Sequence, residues 1–317
     1  MNKAILIVTL AAVFVAGCTQ PLTNILQPAQ NILVSGTGMV ITEFSADQTE
    51  VYGGQTDRII MTVSNKGGHL VPSDEALAYL TGSAVGGTDE TIYWTTTEDL
   101  IKPFGKDMKP ADPVRDTPAD EKTLSWSLKA PNISRGEQAP YTFIGRTYYI
   151  YQSKVTGNVW VYSDTEADAA RASDRSLNKA QYTSTTGPVA INAKVTQDPV
   201  VLYSGENAFT LVIKVSNVGG GVLYSSGAIT DYTTTNPDDL ALTADEINMV
   251  DIGVKIRGVD VTNDCTGTKE LVGGKDLTLT CDITTTRPAT FESVPISITA
   301  DYGYFTERTA SVTVSGR

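Results

Sequence analysis

Catalysis in this chain has few residues to draw on. Among 317 residues there is one histidine, His69, and three cysteines, Cys18, Cys265 and Cys281. Ser-His-Asp chemistry would have to use His69, which follows Gly67-Gly68 in a turn-like stretch with no base-orienting residue beside it. No HExxH, CxxC or G-x-S-x-G pattern occurs, and Gly219-Gly220-Gly221 lacks the downstream lysine of a phosphate loop. Carboxylates are plentiful, so a pair placed for glycoside hydrolysis is the remaining enzymatic reading, and it ranks third. The acidic residues Asp231, Asp238, Asp239, Asp245 and Glu246 match no EF-hand spacing, and Thr243 with Glu246 reads as a helix capping box. The expectation is therefore no enzyme, no metal and no cofactor. With 24 Lys plus Arg against 36 Asp plus Glu, the formal charge is −12, which excludes nucleic acid as a partner.

The first segment addresses the chain. Lys3 precedes an apolar run over residues 4–17 that is too short to span a bilayer and suits the hydrophobic part of a secretory signal. Its end, Val15-Ala16-Gly17-Cys18, resembles the lipobox of a lipoprotein. On that reading residues 1–17 are a signal peptide, Cys18 carries lipid, and 18–36 is a tether to the membrane. The protein is then extracytoplasmic and surface-exposed. Cys265 and Cys281 flank Gly273-Gly274 symmetrically, and a hairpin with loop 272–274 sets them opposite each other. A disulfide is the leading reading in an oxidising compartment; two free buried thiols are the alternative.

Two copies of one pattern make up the rest. Val51-Tyr52-Gly53-Gly54 precedes a strand-like run ending Val63-Ser64-Asn65-Lys66-Gly67-Gly68. Leu202-Tyr203-Ser204-Gly205 likewise precedes one ending Val215-Ser216-Asn217-Val218-Gly219-Gly220. At a constant offset Leu124, Trp126 and Leu128 match Leu277, Leu279 and Cys281, while Tyr149 and Tyr151 match Tyr302 and Tyr304. Short Val, Ile, Thr and Tyr runs with period-two alternation, broken by Gly, Pro, Asn and Asp, predict strands. The fold class is all-β: two tandem immunoglobulin-like antiparallel β-sandwiches, 37–163 and 186–317, with a short helical or irregular linker at 164–185.

The Gly-bearing turn, Val-rich strand and Ser-Asn-x-Gly-Gly ending resemble CARDB-type adhesion-related modules and S-layer-associated domains of archaeal surface lipoproteins. The resemblance covers most of 40–317. It implies a surface-exposed Ig-like array with structural or binding duties, and it brings no catalytic residues.

Comparing the copies isolates one difference. Val159, Val161, Phe143, Tyr149 and Tyr151 face inward by alternation. The opposite face of the first copy then holds Ile144, Tyr148, Ile150, Trp160 and Tyr162, where the second copy has Ser297, Asp301, Gly303, Thr313 and Ser315. Such an apolar face needs a cover. The expected cover is a helix within 164–181, capped at Thr165; the alternative is a partner protein or a glycan stacked on Trp160, Tyr148 and Tyr162. Residues 99–122, rich in proline and charge, read as an exposed loop insertion, and Asn132-Ile133-Ser134 fits a glycosylation sequon. The expected role is a lipid-anchored surface protein with a structural, adhesion or partner-binding duty; a carbohydrate-binding module is the runner-up.

Overall fold

Val312 and Val314 are buried while Ser311 is exposed, and the same alternation runs through most of the chain, so strands with one wet face dominate. The computed structural model describes residues 37–317 apart from Ser83 and Asn263; Cys18 and the segments 1–17 and 18–36 lie outside the described residues. The first copy supplies β1 (Met39–Ala46), β2 (Glu50–Tyr52), β3 (Thr56–Asn65), β4 (Ala76–Gly82), β5 (Ile101–Pro103), β6 (Glu121–Lys129) and β7 (Gln138–Ser163). Then come α1 (Asp164–Ala172) and β8 (Gln181–Ser184). The second copy supplies β9 (Val189–Val195), β10 (Val200–Leu202), β11 (Ala208–Asn217), β12 (Val222–Tyr224) and β13 (Met249–Ile256). It ends with β14 (Val259–Asp260), β15 (Gly267–Glu270), β16 (Asp276–Thr284) and β17 (Phe291–Ser315).

The all-β, antiparallel fold class holds, but the two copies share one sheet. β7 and β17 pair antiparallel in unbroken register from Phe291↔Tyr162 to Ser315↔Gln138. They form the middle of a large central sheet ordered β14-β13-β17-β7-β4-β5. Two three-stranded sheets, β1-β3-β6 and β9-β11-β16, complete the sandwiches. Ile150 lies opposite Gly303, and these are matching positions of the two copies, so a local two-fold axis passes between them.

The pairing exchanges core residues between copies. β2 of the first copy adds in parallel to the end of β17, and β10 of the second adds in parallel to the end of β7. β1 packs across β17, and β9 packs across β7. Each small sheet therefore closes on a long strand from the other copy. The boundaries 37–163 and 186–317 describe the repeat in sequence; the described residues fall within one compact unit, 31–317.

Several expectations change in detail. The linker forms a helix only over Asp164–Ala172, and β8 then joins the central sheet beside β7. Its cap is Ser163, whose Oγ accepts from the Glu166 N–H at 3.2 Å; Thr165 lies already inside the first turn. The segment 99–122 is anchored by β5 and by buried Phe104 and Met108, so it is no free loop. Cys265 and Cys281 are disulfide-bonded, with Cα atoms 5.6 Å apart. They do not face each other along a hairpin: β15 pairs with β13 and β16 with β11, so the bond ties the turn before β15 to the other sheet. The repeat register also shifts in this region. Trp126 pairs with Ile59 and Cys281 with Leu211, and Ile59 and Leu211 are matching positions. The disulfide thus occupies the place of Trp126, rather than that of Leu128.

A protease site introduced within residues 174–180 tests the shared sheet. After cleavage the two fragments should co-elute in gel filtration and separate only in denaturant; separation in native buffer would show independent sandwiches.

Candidate functional site

A buried polar cluster lies at the two-fold axis. Tyr149, Tyr151, Tyr302 and Tyr304 all point from the central strands toward the small sheets, and all are fully buried. Their rings close a circuit: Tyr149–Tyr151 and Tyr149–Tyr304 at 5.8 Å, Tyr151–Tyr302 and Tyr302–Tyr304 at 6.2 Å. Buried phenols need partners. Tyr151 Oη accepts from the His69 N–H at 3.0 Å, and Tyr304 Oη accepts from the Gly221 N–H at 2.7 Å. Tyr304 also donates to Asn217 Oδ1 at 2.9 Å, and Tyr302 shares a 2.8 Å hydrogen bond with Ser153 Oγ. Tyr149 reaches the Met39 carbonyl at 3.5 Å. Burial pushes the Tyr151 and Tyr304 phenols up to about 12, and those of Tyr149 and Tyr302 well above the ordinary range. All four stay neutral at physiological pH, as structural pins.

This arrangement explains the Ser-Asn-x-Gly-Gly motif. Asn65 Nδ2 donates to the His69 and Met108 carbonyls, both at 2.7 Å, and Asn65 Oδ1 accepts from the Gly67 N–H at 3.2 Å. Asn217 repeats the pattern with the Gly221 carbonyl at 3.0 Å and the Gly219 N–H at 3.3 Å. Each asparagine folds a turn whose amides seat a tyrosine hydroxyl. Gly67 and Gly219 are required for room: a Cβ on Gly67 would overlap the Tyr151 hydroxyl, and one on Gly219 would come within 2.6 Å of Tyr304 Oη. The motif and the tyrosines were both visible in sequence, but their meeting was not.

The apolar face of the first copy is divided among different covers. Tyr148 and Ile150 lie beneath the second copy's residues 224–242, in a cluster with Leu77, Tyr224, Ile229, Tyr232 and Leu240. Tyr224 lays its ring where a side chain on Gly303 would sit, so the glycine opposite Ile150 makes that cover possible. Tyr162 is buried, and its hydroxyl accepts from the Asn178 N–H at 3.0 Å, so the segment after α1 covers this end. Helix α1 itself packs Ala167 and Ala170 and contacts β7 and β10. Ile144 and Trp160 are half-buried, and Trp160 contacts Phe291 at 5.9 Å, itself half-exposed.

The acidic stretch forms local turns. Asp231 accepts from the Thr233 N–H at 2.7 Å, and Asp239 accepts from Asn236 Nδ2 at 3.2 Å. Glu246 accepts from the Thr243 N–H at 2.8 Å, with no helix following. Among the described residues no group of three or more His, Cys, Asp or Glu could hold a metal. His69 stacks edge-on against Tyr151 at 5.2 Å, and burial lowers its pKa against the opposing pull of Asp301.

One acid is out of place. Asp57 is 3% exposed, and neither carboxylate oxygen makes a hydrogen bond of good geometry. Burial raises its pKa; the backbone amides of Arg58 and Gln48 oppose this without reaching it well. Phe209 fills the matching place in the second copy.

The outer face of the central sheet carries a shallow polar groove of about 590 Å³, where β8, β7, β17 and β13 run side by side. Thr183, Thr156, Ser297 and Lys255 lie in one cross-strand row, and Lys154 stands beside Thr299 in the next. Sequence comparison of the copies missed it, because strands of both copies and of the linker contribute.

Compared with known proteins, the chain matches no family model and no curated sequence. Among solved structures, the transglutaminase of red sea bream aligns with a TM-score of 0.20 and 11% identity. The alignment covers 87% of this chain and 31% of that one, and it carries no argument.

Gly67→Ala should destabilise by about 1–3 kcal/mol in urea unfolding through overpacking on Tyr151. Adding Tyr151→Phe should return part of that loss; strict additivity would refute the steric account. For Asp57 the folded pKa is raised, so wild-type stability should fall as pH rises from ~4 through that folded pKa. Asp57→Leu should remove this dependence and add about 1–3 kcal/mol at pH 7, read as urea midpoints at pH 4 and pH 7.

Proposed function

We propose that this protein is a lipid-anchored surface protein, held outside the cytoplasm through Cys18, whose fused sandwiches have a structural, adhesion or partner-binding duty. The carrying observation is the Cys265–Cys281 disulfide, which joins two sheets and suits an oxidising compartment. The Val15-Ala16-Gly17-Cys18 sequence supports a lipid anchor with residues 18–36 as tether. The central β7–β17 pairing supports stiffness, since bending the molecule at its middle would break a ladder that both cores need. The resemblance to CARDB-type and S-layer-associated modules agrees with that role. No helix among the described residues is long and apolar enough to cross a membrane.

Mass spectrometry of the N-terminal peptide from protein made in its own host tests the anchor. The expected peptide begins at Cys18 with a lipid mass, and Cys18→Ala should abolish that species. A mature chain cleaved elsewhere with an unmodified Cys18 would sink the reading.

A further inference from the structure

We infer that the polar groove on the outer face of the central sheet binds an acidic saccharide, a uronate- or sulfate-bearing chain. On a chain of net charge −12 this groove is lined by two lysines, Lys154 and Lys255, and by no carboxylate. Lys154 has no ion pair among the described residues. Among the described residues Lys255 has one ion pair, with Asp260 at 3.3 Å between two exposed side chains, a contact that water and salt screen heavily. Beyond Lys154 the outer face carries Asp301, which accepts from Gln152 Nε2 at 2.7 Å, and exposed Asp251 opposite it; toward the other end Glu292 is held by Arg257 at 2.7 Å.

Between the lysines lies a surface of neutral donors and acceptors. Thr156, Thr183 and Ser297 offer hydroxyls in register across three strands, and Asn158 stands opposite Gln181 in the neighbouring row. Hydroxyls and amides fixed on a sheet match the hydroxyls of a sugar chain, while a flexible loop would have to be ordered first. Lys154 and Lys255 sit on strands separated by β17 and are offset by two residues, so their Cα atoms are about 12 Å apart. The positive charge is therefore spread along the groove, as a polymer with repeated anionic groups requires.

The same row of β7 continues from Lys154, Thr156 and Asn158 to Trp160, about 7 Å beyond Asn158. Trp160 keeps part of its ring exposed beside Phe291, giving an apolar platform at the end of the polar groove. Trp160 of the first copy's aromatic face is thus kept, while the rest of the glycan surface moves to strands that both copies supply. It does not depend on the lipid anchor, and the binding test below can fail or succeed independently of Cys18.

Trp94 and Trp126 are fully buried, so a change in tryptophan emission on ligand addition reports Trp160. The full chain is titrated with tetragalacturonate, with a heparin-derived tetrasaccharide and with neutral maltotetraose, by fluorescence and by calorimetry. At least one acidic tetrasaccharide should bind saturably, with affinity falling as salt is raised. Lys154→Gln and Lys255→Gln should each weaken it at least tenfold; Lys214→Gln, on the β9-β11-β16 sheet, should leave it unchanged. Failure of both acidic saccharides to bind by either method overturns the inference. So does wild-type affinity in the two groove variants, or maltotetraose binding as tightly as the acidic chains.

Discussion

Pairing of β7 with β17 is the constraint from which the rest of the molecule follows. A strand of this length cannot serve one small sandwich, so each long strand spends half its residues in the core of its own copy and half in the other. Neither small sheet can bury its apolar face without the strand it borrows. Such reciprocal exchange makes two similar sequences into one cooperative body, because separating them would expose both cores at once.

At the centre of that ladder the cores meet, and polar chemistry holds the junction. Four buried tyrosines fill the space at the two-fold axis, and their hydroxyls are seated by backbone amides from the two Asn-Gly turns and by Ser153. A hydrocarbon at these positions would pack, but it would leave the turn amides without acceptors. The phenol serves both needs, and its ionisation is pushed beyond physiological pH by the burial that makes it useful.

Departures from the two-fold symmetry are where the copies have diverged. Ile150 faces Gly303, and the missing side chain admits Tyr224 and the segment that covers Tyr148. Trp126 is replaced by the disulfide half Cys281, one filling space and the other supplying a covalent tie between sheets. Asp57 replaces an aromatic with a carboxylate that has no good partner. The polar groove arises in the same way: where the second copy's loops extend over the central sheet near Tyr148, the opposite end stays open and carries lysines.

Strand chemistry, the repeat and the inward valines and tyrosines were legible from sequence, because alternation at period two and turn residues act locally. The disulfide partners were legible too, through compartment and spacing, though the geometry was not: the turn at Gly273-Gly274 forms, yet its arms part to different sheets. Shorter reach misled elsewhere. Nearness in sequence points to 164–181 as the cover for Tyr148, yet the cover comes from residues 224–242 because the sheet brings that distant segment to the face. Which copy completes which core, whether Asn65 and Gly67 serve a turn alone or seat a phenol, and where two lysines share a groove were decided only in tertiary structure. Alternation tells a residue which face it points to; it does not tell a strand which neighbour will pair with its edge, and in this protein that choice joins the two copies.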